Sequence, residues 1–393
     1  MVSISGMVRL HRRYLSTELL IEPLCASDRL VDDVLASVFI HCLPIGSVSD
    51  LTYPDITNTL VAPISVSHVS QRWRSLALKT SQLWQGIKID FNKPLDDTCL
   101  HAWMDRAGNR PLYVDLYLDK PNYADHHYQG KEYDGNISWV LSAILYNRVK
   151  HLGIQGLPLT PSCIASILTE CSQIESLTIF DSMSHCVCFD DLCPSPASIE
   201  LKSLRVLSTN VGLRSYCEDI IRLINAPCLV DLTVEMMSRT KVHNMLQLIL
   251  QSTHLSKDSI VSFRLVYAWP PTSQQLQTLL HHFINIQRLV LVVGNECEAR
   301  HHPPFLDAEL FGRLDLDSQE PLAPCLSVLS VDSIASYPMI PEACEKALKF
   351  MKSRAGKGLQ SVKMSLEYPY PDDVEEELEV LGKSIDVRSI QIW

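Results

Sequence analysis

The apolar positions of this chain change period several times, and each change marks an element. Over "SDRLVDDVLASVFIHCLP" the residues Leu30, Val34, Leu35 and Val38 recur at helical spacing. Ser27 suits the N-cap, Asp28, Asp32 and Asp33 suit the positive end of the helix dipole, and Pro44 ends the pattern. A looser stretch follows, punctuated by Gly46 and Pro54. From Ser65 the helical period returns. Val66, Val69, Trp73, Leu76 and Ala77 form one stripe, with Gln71, Arg72 and Arg74 mostly off it. A single amphipathic helix with Trp73 turned inward is the expectation.

The period then shortens to two. Ile87, Ile89 and Phe91 alternate with polar residues and predict a strand. Residues 94–111, which end in "HAWMDRAGNRP", predict a helix with Asp96 and Asp97 in its first turn, Gly108 at its C-terminal end and Pro111 beyond. "PLYVDLYL" alternates again.

Further on, one pattern recurs: apolar, two residues, apolar, one residue, apolar. It is carried by Val149-Leu152-Ile154, Ile174-Leu177-Ile179, Leu201-Leu204-Val206, Leu229-Leu232-Val234 and Ile260-Phe263-Leu265. It continues through Ile286-Leu289-Leu291, Leu326-Leu329-Val331, Leu359-Val362-Met364 and Val387-Ile390-Ile392. Helical text such as "SCIASILTEC" and "QQLQTLLHHF" precedes several of them. A unit of one strand and one helix cannot bury its own strand, whereas stacked neighbours share a core. The expected architecture is therefore α/β, with a leucine-rich-repeat-like solenoid over residues 86–393. The asparagine usual after the third apolar position of such repeats is missing.

Composition narrows the function. The 393 residues are 46% hydrophobic, enough for a substantial core. A net charge of −11 disfavours nucleic acid as the main partner. The basic, aromatic stretch "SHVSQRWRSLALKTSQLW" would need exposed aromatics to stack bases, and its Trp73 lies in the apolar stripe instead. No run of 18 apolar residues predicts a membrane span, and the first residues lack the apolar core of a signal peptide. Asn136-Ile137-Ser138 matches a glycosylation sequon and reads as chance in that setting. The 13 cysteines are scattered and mostly set in apolar runs, which predicts reduced, buried thiols in the cytoplasm or nucleus.

No nucleophile-elbow, phosphate-loop, dinucleotide or zinc-protease motif occurs, and the chain holds only 14 glycines. The densest metal candidate is "SHCVCFDDLC", with His185, Cys186, Cys188 and Cys193. Its spacing is tight and a second half is missing, so it reads as a cysteine-rich loop. The His-His pairs at 126–127, 281–282 and 301–302 do not converge by spacing. The acidic run 371–380 reads as the start of a last helix whose buried face is Val374, Leu378 and Leu381. No metal and no cofactor are expected.

Residues 27–85 resemble an F-box-like domain of the kind common in large fungal protein families. Leu30, Asp33, Val34, Leu35, Val38 and Phe39 match its opening motif. Val69, Arg72, Trp73, Arg74, Leu76, Ala77, Leu83 and Trp84 match its close. Val31 stands where proline is usual, Ser70 where cysteine is usual, and the linker between the halves is long. The resemblance implies a small all-α F-box-like domain at 27–85 behind an N-terminal extension, 1–26. It implies docking on the Skp-type linker subunit of a cullin–RING ubiquitin ligase through Leu30, Val31, Val34, Leu35, Val38 and Phe39. Val69, Trp73, Leu76, Ala77, Leu83 and Trp84 would form the domain core. The C-terminal units would select an unknown protein substrate, and the chain itself would not be an enzyme. The alternative is an interaction scaffold that keeps the fold without ligase assembly.

Overall fold

The computed structural model of the chain describes residues 30–43, 53–94, 96–118, 140, 144, 148–157, 159, 161–180, 198–211, 221–236, 246–247, 249–251, 258–267, 271–293, 306–333, 341–364 and 372–388. Helices α1 (Asp32–His41), α2 (Ile64–Ser67) and α3 (Gln71–Lys79), then a 3₁₀ turn at Ser81–Trp84, precede the first strand. The strands are β1 (Gly86–Asp90), β2 (Leu112–Tyr117), β3 (Val149–Gln155), β4 (Ser176–Phe180), β5 (Ile199–Glu200), β6 (Val206–Val211) and β7 (Ile224–Asn225). They continue as β8 (Asp231–Met236), β9 (Ser262–Tyr267), β10 (Arg288–Val293), β11 (Val328–Ser333), β12 (Ser361–Met364) and β13 (Asp386–Arg388). Between them lie α4 (Asp97–Ala107), α5 (Pro161–Glu170), α6 (Ser273–His282), α7 (Ala308–Leu314), α8 (Pro341–Arg354) and α9 (Asp372–Leu381).

Eleven of these strands form one sheet in chain order, β1-β2-β3-β4-β6-β8-β9-β10-β11-β12-β13, every pair parallel. β5 and β7 pair separately. The register sets two largely apolar rows, the first across all eleven strands and the second across ten of them. One is Ile87, Val114, Leu152, Leu177, Leu207, Leu232, Phe263, Leu289, Leu329, Val362 and Val387. The next is Ile89, Leu116, Ile154, Ile179, Thr209, Val234, Leu265, Leu291, Val331 and Met364. The core forms where these rows meet the apolar sides of the helices, such as Leu276 and Leu280 of α6 or Ala347 and Phe350 of α8. The opposite face alternates with them and is half-exposed over β8 and β9, residue by residue, whereas His151 of β3 and Asn210 of β6 are buried on it.

This corrects the expected fold class. The α/β class stands, but the molecule is a large parallel sheet with helices rather than a small all-α domain followed by a leucine-rich-repeat-like solenoid. The apolar side chains of the first helices belong to the same hydrophobic cluster as the sheet. Leu35 and Phe39 of α1, Ala77 of α3, and Leu83 and Trp84 of the 3₁₀ turn join it beside Ile87. Trp84 and Trp103 meet edge to face at 4.9 Å, and the Trp103 indole donates to the Trp84 carbonyl at 2.9 Å. Helices this short bury little surface by themselves and gain it from β1 and α4.

Two further expectations change. The single helix from Ser65 is three pieces. Ser70 is extended at φ −152°, and its hydroxyl accepts from the Trp73 backbone N–H at 3.2 Å, so a new helix starts there. α1 begins at Asp32 after an extended Val31, so Leu30 precedes the helix. Ser27, Asp28 and Pro44 lie outside the described residues. So do the cysteine-rich loop at 184–193, the sequon, and the His pairs at 126–127 and 301–302.

The sheet's first edge is covered by an earlier segment. The Ile56 N–H donates to the Lys88 carbonyl, and the Lys88 N–H to that of Pro54, so Asp55 bridges Lys88 in parallel. Tyr53 packs against Gly86, where a Cβ would come 2.6 Å from the ring. The glycine is what lets the ring sit that close.

Candidate functional site

α1 divides the six residues assigned to partner docking. Leu35 and Phe39 turn inward, and Phe39 packs on Trp73 with ring centroids 4.8 Å apart. Leu30, Val31, Val34 and Val38 remain 38%, 65%, 46% and 44% exposed. Val34 and Val38 are four residues apart and share one side of α1, while Val31 is its extended N-cap residue and Leu30 precedes it. Four exposed large apolar side chains within nine residues, two on α1 and two at its entry, are more than scattered surface hydrophobics.

The helix is held in place at its start. The Arg72 guanidinium donates to Asp32 Oδ1 at 2.7 Å and 3.1 Å and to the Leu30 carbonyl at 2.5 Å. One side chain of α3 thus fixes both the first turn of α1 and the residue before it. The Arg74 side chain donates to the Ser67 carbonyl at 3.1 Å, which ties α3 back to α2.

The expected core set divides too. Ala77, Leu83 and Trp84 are buried, and Trp73 and Leu76 are half-buried. Val69 is 61% exposed and lies outside the core. It falls in the turn between α2 and α3.

The half-exposed face of the sheet holds the other concentration of polar chemistry. Over β2–β4 lie Tyr113, Asp115, His151 and Ser176, with the Tyr53 ring 5.9 Å from Tyr113 and 5.6 Å from His151. Burial pushes the Tyr53 phenol well above its usual range, with the charges of Asp115 and Tyr113 adding to it. Over β8–β10 lie Asp231, Glu235, Arg264 and Arg288. Burial raises both carboxyls, against the pull of Ser262, Arg288 and Arg264 on Asp231 and of Arg264 on Glu235. Spacing along one strand did not point to either group, because its members come from neighbouring strands and meet only through the register.

No group of three or more metal-ligating side chains converges among the described residues. His281 and His282 sit at the end of α6. Of the seven described cysteines, Cys171 and Cys344 are buried and Cys42, Cys99, Cys228 and Cys325 are exposed. This corrects the expectation of mostly buried thiols. Cys42, Cys228 and Cys325 fall between elements, where a neighbouring apolar residue implies no burial. No helix among the described residues is long and apolar enough to cross a membrane.

Neither a scan of protein-family models nor a search of curated proteins gives a match to this chain. Any functional reading therefore rests on residues and geometry.

Proposed function

We propose that this chain is a substrate-recognition adaptor of a Skp/cullin/F-box-type ubiquitin ligase. The reading joins the F-box-like motif residues of 27–85 to one observation, the unburied Leu30 and Val31 at the entry of α1 and Val34 and Val38 on it. An apolar helix face of this kind gains by entering a partner's hydrophobic groove. The partner is a Skp-type linker subunit, in the cytoplasm or nucleus. The half-exposed sheet face then binds a protein substrate, and ubiquitin transfer belongs to other subunits. The second reading, an interaction scaffold outside a ligase, is favoured by Val31 in the place of proline.

Co-purification with a Skp-type subunit tests the proposal. The wild-type chain is expected to retain the subunit at micromolar concentration. Val34→Asp with Val38→Asp alters only exposed positions and is expected to lower retention at least about 100-fold, since two charges would be driven into an apolar contact. Failure of the wild type to retain the subunit removes the ligase reading. Retention by the double variant removes the assignment of the face.

A further inference from the structure

The polar cluster over β2–β4 is built more specifically than its neighbours. His151 is 3% exposed, and both ring nitrogens are engaged. Nδ1 lies 3.0 Å from Ser176 Oγ, and Nε2 lies 3.2 Å from Asp115 Oδ1. The three residues come from three adjacent strands. Gly153 makes the second contact possible, because a Cβ at that position would lie 2.0 Å from Asp115 Oδ1. The carboxylate occupies the hollow that the missing side chain leaves.

The chemistry of the groups fixes the proton order. A carboxylate only accepts, so in the neutral imidazole Nε2 carries the hydrogen and Nδ1 the lone pair. Nδ1 then accepts from the Ser176 hydroxyl. The result is a hydroxyl bonded to a base whose tautomer is set by an acid, the arrangement that activates serine nucleophiles. Tyr53 lies edge-on to the imidazole, while Ser176 stays half-exposed.

We propose that Ser176 is an activated nucleophile that accepts the acyl group of small activated carboxylic esters. Its Oγ bonds to the carbonyl carbon while its proton passes to His151 Nδ1. The bond from that carbon to the alkoxide leaving group then breaks, and the imidazolium returns the proton to the alkoxide. An ester on Ser176 and a free alcohol result, and water reverses the ester by the same route. Asp115 is a positioning residue, since it acts through His151. The backbone groups of β4 are committed to its two parallel neighbours and offer no spare donors to a developing oxyanion. Such donors are worth about 10²–10³ in rate, so acylation without fast turnover is expected. The proposal is independent of the adaptor reading.

Incubating the full chain with p-nitrophenyl acetate and mapping the acetylated peptides tests it. One acetyl group per chain is expected on Ser176, and none in that peptide in Ser176→Ala. His151→Asn is expected to slow Ser176 acetylation about 100-fold, the usual worth of a general base. Asp115→Asn is expected to slow it as well, with thermal midpoints recorded to show that each variant is folded. The proposal is overturned if Ser176 reacts no faster than the exposed Ser37 and Ser75. It is also overturned if folded His151→Asn reacts at the wild-type rate. Should His151→Asn fail to fold, an unchanged rate in folded Asp115→Asn overturns it. Those results would leave the cluster as hydrogen bonding that satisfies a buried imidazole.

Discussion

Arg354, at the end of α8, is the largest charged side chain in the core. It makes no ion pair among the described residues, yet all three of its nitrogens donate to backbone carbonyls. Its Nε donates to the Leu314 carbonyl at 2.8 Å, and its two terminal nitrogens reach those of Leu322, Ala323, Pro324 and Leu326 at 2.9–3.4 Å. Ala323 holds a φ of +45°, which a non-glycine residue adopts only under constraint, and its carbonyl is one of the acceptors. Burial pushes the guanidinium down to about 10, still cationic at neutral pH. Arg354→Met is expected to cost about 3 kcal/mol or more, because several buried carbonyls lose their donor together. Arg354→Lys should recover little of this, since an ammonium cannot span the same fan of acceptors. Urea midpoints of the two variants check it.

Thr209 is the opposite case. It is the polar member of the second apolar row, fully buried between Ile179 and Val234. Its hydroxyl has no partner among the described residues. Thr209→Val keeps the shape and removes the desolvation cost, so a gain of about 1 kcal/mol in the same urea experiment is expected. Neither residue was legible in the sequence. Arg354 ends an ordinary amphipathic helix pattern, and Thr209 fell outside the triple Leu201-Leu204-Val206. The register aligns Leu204, Leu207 and Thr209 with Ile174, Leu177 and Ile179, a slip of three residues. A run rich in leucine offers two registers, and strand pairing selects the one that buries Thr209 rather than the one that spacing alone favours.

At the scale of elements, local chemistry was legible where a cap or a turn fixed the boundary. α4 starts at Asp96, whose carboxylate accepts from the Thr98 N–H, and stops at Gly108 with φ +58°, as the acids and glycine suggested. The run Val66 to Ala77 failed because helical spacing continues across a residue that also caps. In Ser70 the cap won, and the stripe broke into buried Val66, exposed Val69 and half-buried Trp73. Ser70→Ala is therefore expected to cost about 1 kcal/mol, the usual worth of a serine N-cap. The loss should fall on α3, and hydrogen exchange of the Trp73 amide should accelerate in step with it. If that amide exchanges as in the wild type, the cap is not what starts the helix.

At the scale of the molecule, the alternation of β1 and β2 and most of the recurring triples pointed to strands separated by helices. What one-dimensional spacing could not carry was continuity. Trp84 sits at the end of the motif-bearing segment, yet its ring packs on Trp103 of α4, so the first helices and the sheet share one core. The same pairing of distant strands sets the electrostatics of the half-exposed face. There Asp231 and Glu235 lie near Arg264 without forming an ion pair with it among the described residues.

These carboxyls and Asp315 make opposite contributions to stability. Burial pulls Asp315 upward, but hydrogen bonds from Lys349, the Asp317 N–H and Ser353, with the Lys349 charge, outweigh it and hold the carboxyl below the usual range. A folded value below the unfolded one gives stability that is present above the unfolded value and is lost as pH falls through the folded one. Asp231 and Glu235 are raised, mainly by burial. Their contribution is present below the unfolded value and is lost as pH rises through the folded value, so at neutral pH both ionised groups cost stability. Asp231→Asn with Glu235→Gln is expected to raise the urea midpoint at pH 7, with the advantage shrinking as pH falls into the ordinary carboxylate range. Asp315→Asn should lower the midpoint at pH 7, with the deficit closing on further acidification. Midpoints that shift equally at every pH in both variants would mean that packing, not ionisation, separates them from the wild type.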